Sequence, residues 1–423
     1  MISVIFAEVG YSQCICTGNV HRFSVNAWPI KTFQAEVNVD SMVSKLKLLA
    51  ISLGADIVGV TTKKILADGP PSADPCYLLP TVNSVISFAI SLDKDLVRHF
   101  ISKKKWRPHC HNRKSVVQKL YTIGDTIAEQ LRSEGFEAFN VDINNNYRSE
   151  KNAKNISEMT EFHPEFSHRY AALAAGIGRL GWSGNLLTKE YGALVELGSV
   201  LTSAHLTPDM PIPDEDHPCD RCKMCSLVCP VEMIRSKESV QVTVAGITEI
   251  ISNKRPNTCC WIGCSGYEGL AVSGNWSNWS PYRLGRRLPE DRRELDKLCI
   301  SLQKADPQMQ DDHSSLTDYR RAVFDPDWFY YTVCGFCRNV CWPHREDRLA
   351  NRKLIIKSGT AALKLDGSHV VANESAIEVP TPFGLNVVLQ NPELSEEKLN
   401  TREWTGQFPL DREVIKYLKE TKV

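Results

Sequence analysis

No stretch of this 423-residue chain is apolar over the roughly 20 residues that a bilayer crossing needs. No basic n-region or twin arginine opens it either; the N-terminus reads Met1-Ile2-Ser3-Val4-Ile5-Phe6-Ala7. A secretory signal is therefore not expected, and a cytoplasmic location is. Net charge is also lacking. Fifty basic and fifty acidic residues cancel, so no overall field argues for nucleic acid or a membrane surface as a partner. A flavin or nicotinamide fingerprint is missing as well, because Gly176-Ile177-Gly178 has neither the spacing nor the preceding strand of a dinucleotide turn.

Cysteine, in contrast, is abundant. Fifteen in a signal-free chain point to metal ligation in a reducing compartment, and their odd number leaves one unpaired under any disulfide scheme. One run is Cys219-x2-Cys222-x2-Cys225-x3-Cys229-Pro230. Another is Cys334-x2-Cys337-x3-Cys341, followed by Trp342-Pro343, with Cys259 and Cys260 upstream. In the bacterial ferredoxin run, three cysteines hold one cubane and the fourth reaches across to the next. By that logic Cys219, Cys222, Cys225 and Cys341 hold one [4Fe–4S] cluster. Cys229, Cys334 and Cys337 hold the second, completed by Cys259 or Cys260; Cys264 and Cys299 are further candidates for that place. Zinc ribbons also pair cysteines at x2 spacing, but the x2-x2-x3-Cys-Pro run is not their pattern. Two such clusters form a wire for single electrons. Cys14, Cys16, Cys76 and Cys110 are read as buried thiols.

Apolar periodicity predicts a helix from Ser41 to near Gly54, a strand at 57–60, a buried strand at 85–90, a helix over 114–134 closed by Gly135, and a strand at 136–141. A helix over 167–175 and a strand over 195–201 follow. This alternation makes the first half α/β or α+β. Residues 143–160 are polar and Asn-rich and read as a loop. His205–Pro218, with four prolines, reads as a linker. The expected layout is an N-terminal extension over 1–40, an α+β domain over 41–210, a cluster domain over 211–350 with a long insert at about 231–333, and a C-terminal extension over 351–423. The aromatic knot of Trp276, Trp279 and Tyr282 reads as core, with a pocket wall or cluster cover as the alternative.

Ahead of the cysteines stands Ser167-His168-Arg169-Tyr170-Ala171-Ala172-Leu173-Ala174-Ala175-Gly176-Ile177-Gly178-Arg179-Leu180-Gly181-Trp182-Ser183-Gly184, continuing Asn185-Leu186-Leu187-Thr188-Lys189-Glu190-Tyr191-Gly192-Ala193 and Leu197-Gly198-Ser199-Val200-Leu201-Thr202. Joined to the double cysteine run, this block resembles the corrinoid-dependent reductase superfamily of reductive dehalogenases and epoxyqueuosine reductases, over about residues 115–345. The resemblance implies a nitroreductase-like α+β domain that binds base-off cobalamin, followed by a ferredoxin-like double-cluster domain that delivers electrons to cobalt. It implies His168, Arg169, Gly176, Gly178, Gly181, Trp182, Ser183, Gly184, Asn185 and Leu186 as cofactor-binding residues. The absence of an Asp-x-His-x-x-Gly signature fits a cobalt without a protein histidine below it. Two departures stand out. The position after the glycine turn tends to hold Lys or Arg in both branches, and here it is Trp182, which cannot steady developing negative charge. The Asp-x-x-Pro general acid of the epoxyqueuosine branch has only Glu161-Phe162-His163-Pro164 as its counterpart, which disfavours queuosine chemistry.

The resemblance therefore leans to the dehalogenase branch. There a tyrosine donates the proton, for which Tyr121 and Tyr147 are the candidates, with a satisfied core hydroxyl as the plainer reading of each; His163 is a further acid. The expected function is reductive cleavage of a small organic substrate, without nucleic acid, using electrons from ferredoxin, flavodoxin or a reductase. One rival is an electron-transfer or reactivating protein for a corrinoid methyltransferase, without a substrate of its own. Another is a redox-sensing iron–sulfur protein.

Overall fold

The computed structural model describes residues 39–143, 148, 164–282, 284, 287–305, 319–328, 330–363, 369–372, 376–380 and 386–389. The expectations placed on Tyr147, His163, Cys14 and Cys16 fall outside these residues, as does nearly all of the Asn-rich loop.

Helix α1 (Val39–Ser52) buries Met42, Val43, Leu46 and Ala50, positions that share one helical face. It is followed by β1 (Ile57–Thr62), β2 (Ser84–Ser91), α2 (Lys94–Ile101) and the long α3 (Arg107–Ser133). Then come β3 (Ala138–Asn140), α4 (His168–Ala174), two-residue strands β4 (Arg179–Leu180) and β5 (Leu186–Leu187), and β6 (Val195–Thr202). The sheet order is β1-β2-β6-β3, antiparallel throughout. β2 lies inside the sheet and is buried on both faces, which explains its unbroken apolar run. A mixed helix and sheet fold of this antiparallel kind is α+β.

Helix α3 starts earlier than its periodicity predicts. Pro108 occupies the first turn, where a missing N–H breaks no bond, and His109 and Cys110 are buried. Tertiary burial therefore sets that end. The proline-rich linker is not free either. Val60 N–H donates to the Asp209 carboxylate at 2.7 Å, Asp209 N–H donates back to Val60 O at 2.9 Å, and Lys47 Nζ lies 2.6 Å from the same carboxylate. The segment is bonded to the outer edge of β1 and satisfies groups that an edge strand leaves open.

The second half holds the one-turn α5 (Met224–Leu227), the hairpin of β7 (Ser239–Val244) and β8 (Ile247–Ser252), α6 (Asn257–Cys264), and helices Arg292–Ala305, Tyr319–Phe324, Phe336–Asn339 and Arg345–Ile356. Buried apolar side chains run continuously from Ile86, Phe88 and Val200 of the sheet, through Trp106 and Trp279, to Val228, Phe336, Val340 and Trp342. The cysteine-bearing turns therefore stand on the same core as the sheet. Trp279 donates its indole N–H to Phe100 O at 2.9 Å, and the Trp276 ring lies 6.0 Å from that of Phe336. The aromatic knot is core. Among the described residues no helix is long and apolar enough to cross a membrane.

Candidate functional site

One local design occurs twice. In Cys222-Lys223-Met224-Cys225, Lys223 adopts left-handed backbone (φ 58°) just before α5; in Cys334-Gly335-Phe336-Cys337, Gly335 does the same (φ 85°) before helix Phe336–Asn339. The sharp turn brings the flanking thiols together, and the short helix carries the next cysteine, Cys229 or Cys341, away. Glycine adopts this backbone freely, whereas lysine costs roughly 1 kcal/mol. Lys223 is held there in part by its ammonium, 4.4 Å from the centroid of the Trp182 ring.

Cys219, Cys222, Cys225 and Cys341 line one small cavity, together with Gly181, Trp182, Lys223 and Arg348. Burial, with the neighbouring charges of Cys337, Cys219 and Cys222, pushes the Cys225 thiol up to about 12. Burial and the same run push Cys341 up as well. A bound cation core relieves this repulsion and displaces the protons. Asp220 braces the loop: it accepts Cys222 N–H at 3.1 Å and pairs with Arg348 at 2.8 Å and Arg345 at 3.2 Å.

Cys229 feels the charges of Cys337, Cys260 and Cys334, so these four thiols form a second set. Cys264 adjoins it, its Sγ 3.6 Å from that of Cys260 and hydrogen-bonded to Cys334. Cys259 does not. Its thiol donates to Val231 O at 3.4 Å inside a separate apolar cluster, which also holds Cys299. Adjacent residues of a helix cannot face the same way, so α6 presents Cys260 to the set and turns Cys259 from it. Among the described residues no group of three or more His, Cys, Asp or Glu side chains is placed to hold a single metal ion.

A polar chain not singled out by the sequence reading ties the glycine block to the first set. Glu249 of β8 accepts Arg179 Nε–H at 2.6 Å and Leu180 N–H at 3.1 Å, and His217 Nε2–H donates to it at 3.0 Å. His217 Nδ1 in turn accepts the N–H of Cys219 at 3.0 Å. Burial alone would raise the Glu249 carboxyl, but His217 and Arg179 hold it below the usual range. Residues 179, 217 and 249 share no sequence spacing; only the fold joins them.

The glycine block divides in two. A Cβ would stand 2.4 Å from Met210 O at Gly176, 2.3 Å from Leu187 O at Gly178, and 2.4 Å from Cys341 O at Gly192. Gly176 and Gly178, expected to bind the cofactor, are, like Gly192, closely packed on another stretch of backbone. Gly178→Val should therefore destabilise the whole fold by about 2–3 kcal/mol, read as a lower midpoint of thermal unfolding, and should not selectively abolish corrinoid uptake. Gly181 packs on a side chain, since a Cβ there would lie 2.6 Å from Leu187 Cδ1 and 3.5 Å from Cys219 Sγ, and a Cβ at Gly184 would lie 2.6 Å from Lys254 Nζ. Asn185 Nδ2 approaches Cys337 Sγ at 3.8 Å, Ser183 Oγ accepts Asn185 N–H, and Arg169 donates to Gly184 O at 3.2 Å. Leu186 is buried in β5, and the Trp182 indole N–H donates to Arg235 O at 2.9 Å. Burial and then Arg169 lower the Lys254 amine to about 8, while Cys337, Cys260 and Cys225 pull the other way.

Two candidates are engaged within the chain. His168, expected to contact cofactor, is fully buried; Nε2–H donates to Asp142 O at 3.0 Å and Nδ1 accepts from Ser199 Oγ at 2.9 Å. Burial lowers it to about 4, against the pull of the Asp142 carbonyl. The Tyr121 hydroxyl accepts Ile143 N–H at 3.4 Å, its ring lies under Arg320, and burial followed by Asp142 pushes the phenol up.

No family model matches the chain. Its sequence is similar to the epoxyqueuosine reductase of Bacillus cereus, 28% identical over 157 residues that cover 37% of either chain. It is likewise similar to that of Atelocyanobacterium thalassa, 28% identical over 40% of this chain and 48% of the relative. The chain thus spans less than half the length of these curated relatives. Among solved structures, an epoxyqueuosine reductase in complex with an epoxyqueuosine-modified tRNA-Tyr stem loop aligns at a TM-score of 0.36 with 16% identity, over 76% of this chain and 82% of that one. A catabolic reductive dehalogenase aligns at 0.39 with 19% identity, over 52% and 29%. The resemblance to the corrinoid-dependent reductase superfamily holds. The expectation of a small organic substrate and no nucleic acid does not stand, because the curated relatives are epoxyqueuosine reductases.

Proposed function

We propose that this chain, a relative of the epoxyqueuosine reductases, is an iron–sulfur oxidoreductase acting on a modified nucleoside of a tRNA stem loop. Cys219, Cys222, Cys225 and Cys341 hold one [4Fe–4S] cluster; Cys229, Cys260, Cys334 and Cys337 hold the other. The observation that carries this reading is the crossing of the two sets. Cys341 gathers with the 219–225 run, and Cys229 with Cys334 and Cys337. Cys225 and Cys337 feel each other's charge across the boundary, so the sets adjoin as a relay requires.

Reduction of an epoxide to an alkene breaks both C–O bonds, consumes two electrons and two protons, and releases the oxygen as water. Two single-electron carriers in series suit that demand. The protein orients the relay and keeps water from it, with Trp182, Val228, Val340 and Trp342 buried around the thiols. The resemblance also implies a corrinoid, whose cobalt would supply the reducing centre. Of the residues assigned to it, Gly176 and Gly178 are closed against backbone and His168 is hydrogen-bonded on both nitrogens. No step is therefore assigned to that group.

Those filled glycines favour a second reading, in which the chain passes electrons to a corrinoid methyltransferase and has no substrate of its own. The test incubates anaerobically reconstituted protein with titanium(III) citrate and an epoxyqueuosine-bearing tRNA-Tyr stem loop, with and without cobalamin. Mass spectrometry of the digested nucleosides then reads the outcome. Loss of one oxygen from the modified base supports the proposal. An intact base that the cluster-loaded protein neither binds nor changes overturns it in favour of the second reading.

A further inference from the structure

We infer that Lys254 is a positioning residue for the second iron–sulfur cluster, a fixed positive charge beside Cys260 and Cys337 that holds the cluster's reduction potential up. The inference rests on reading the cysteine sets as cluster sites. Its geometric basis is the gap at Gly184. That residue has left-handed backbone (φ +69°) and no side chain, and the Lys254 ammonium enters to within 2.6 Å of the point a Cβ would occupy. Any larger residue at 184 would push the ammonium out. From the other side Arg169 is tied to the same glycine by its bond to Gly184 O.

The backbone that carries Lys254 is anchored on each side. Ser252 N–H donates to Trp182 O at 2.8 Å, Asn253 N–H to Glu238 O at 3.0 Å, and Arg255 N–H to Met233 O at 2.9 Å. The amine is therefore delivered by a pinned strand end to Gly184, and the next residue, Asn185, carries its Nδ2 to 3.8 Å from Cys337 Sγ, which puts the ammonium beside the second set. Lys254 thus brings a cation to the glycine turn from a distant segment. A four-thiolate cubane gains one negative charge on reduction, so a nearby ammonium stabilises the reduced form more than the oxidised one. The nearer cluster then becomes easier to reduce, which favours electron flow into it.

The experiment compares cluster-loaded wild-type protein with Lys254→Met and Lys254→Arg by iron analysis and by redox titration followed by electron paramagnetic resonance. Methionine keeps the length and removes the charge; arginine keeps the charge. The expected result is a more negative midpoint for one of the two clusters in Lys254→Met, a smaller shift in the other, and wild-type behaviour in Lys254→Arg. Iron lost from the second site in Lys254→Met but retained in Lys254→Arg supports the same charge requirement. An unmoved midpoint with full iron in Lys254→Met overturns the inference, and so does equal iron loss in both variants, which would mark a packing role. Wild-type protein that takes up no iron overturns the cluster reading and the inference together, an outcome distinct from full iron with an unmoved potential.

Discussion

Replacing Cys222 with alanine is expected to remove about half of the iron and acid-labile sulfide, because each cubane depends on four thiolates. The three remaining thiols of that set line one small cavity, and Cys225 is pushed up to about 12 by burial and its neighbours. With one corner missing they revert to neutral thiols rather than holding a core. The second set shares no ligand with the first and keeps its iron. Cys259→Ala is the matched control. Its thiol bonds to Val231 O inside an apolar cluster, so iron should be unchanged. Iron halved by Cys259→Ala and untouched by Cys260→Ala would reverse the assignment along α6.

Glu196→Ala should destabilise the protein by about 3 kcal/mol or more and loosen the second set. Glu196 of β6 accepts Arg113 Nε–H of α3 at 2.8 Å and also bonds Arg338, the residue after Cys337. Burial alone would raise its carboxyl, but Arg113 and Arg338 outweigh it and hold the group at about 2. Removing the carboxylate strands two cations in a shielded place, the costly way to break an ion pair. Because the folded value lies below the ordinary 4.5, this stability is fully present above that pH and is lost as pH falls toward 2. Chemical denaturation at pH 7 and pH 3 should show the gap between wild type and variant shrink in acid. A gap of constant size would show that the variant fails for another reason.

Local signals were legible in the sequence where one physical rule dominates. The apolar run at 85–90 became an inner strand because burial on both faces needs such a run, and the face of Leu120, Ile123, Ile127 and Leu131 became α3 because a helical stripe must meet the sheet. The spacing of the cysteine runs fixes which thiols a turn can gather. What stayed illegible depends on orientation and distance. Adjacent Cys259 and Cys260 are equivalent on paper, and only the packing of α6 separates them. A glycine can face a cofactor or another backbone, and Gly176 and Gly178 do the latter. Asp209, Glu249 and Lys254 act on partners far away in the chain, with no motif to announce them. Net charge is no guide to nucleic acid because it is a sum, while a nucleic-acid contact needs only a local patch.

Iron and acid-labile sulfide counts on the anaerobically reconstituted full chain, taken together with the electron paramagnetic resonance spectrum after reduction, test the paired clusters most directly. The predicted result is about eight iron and eight sulfide per chain with the signal of two interacting reduced [4Fe–4S] centres. Zinc in place of iron, or four iron and the spectrum of one isolated centre, would contradict it.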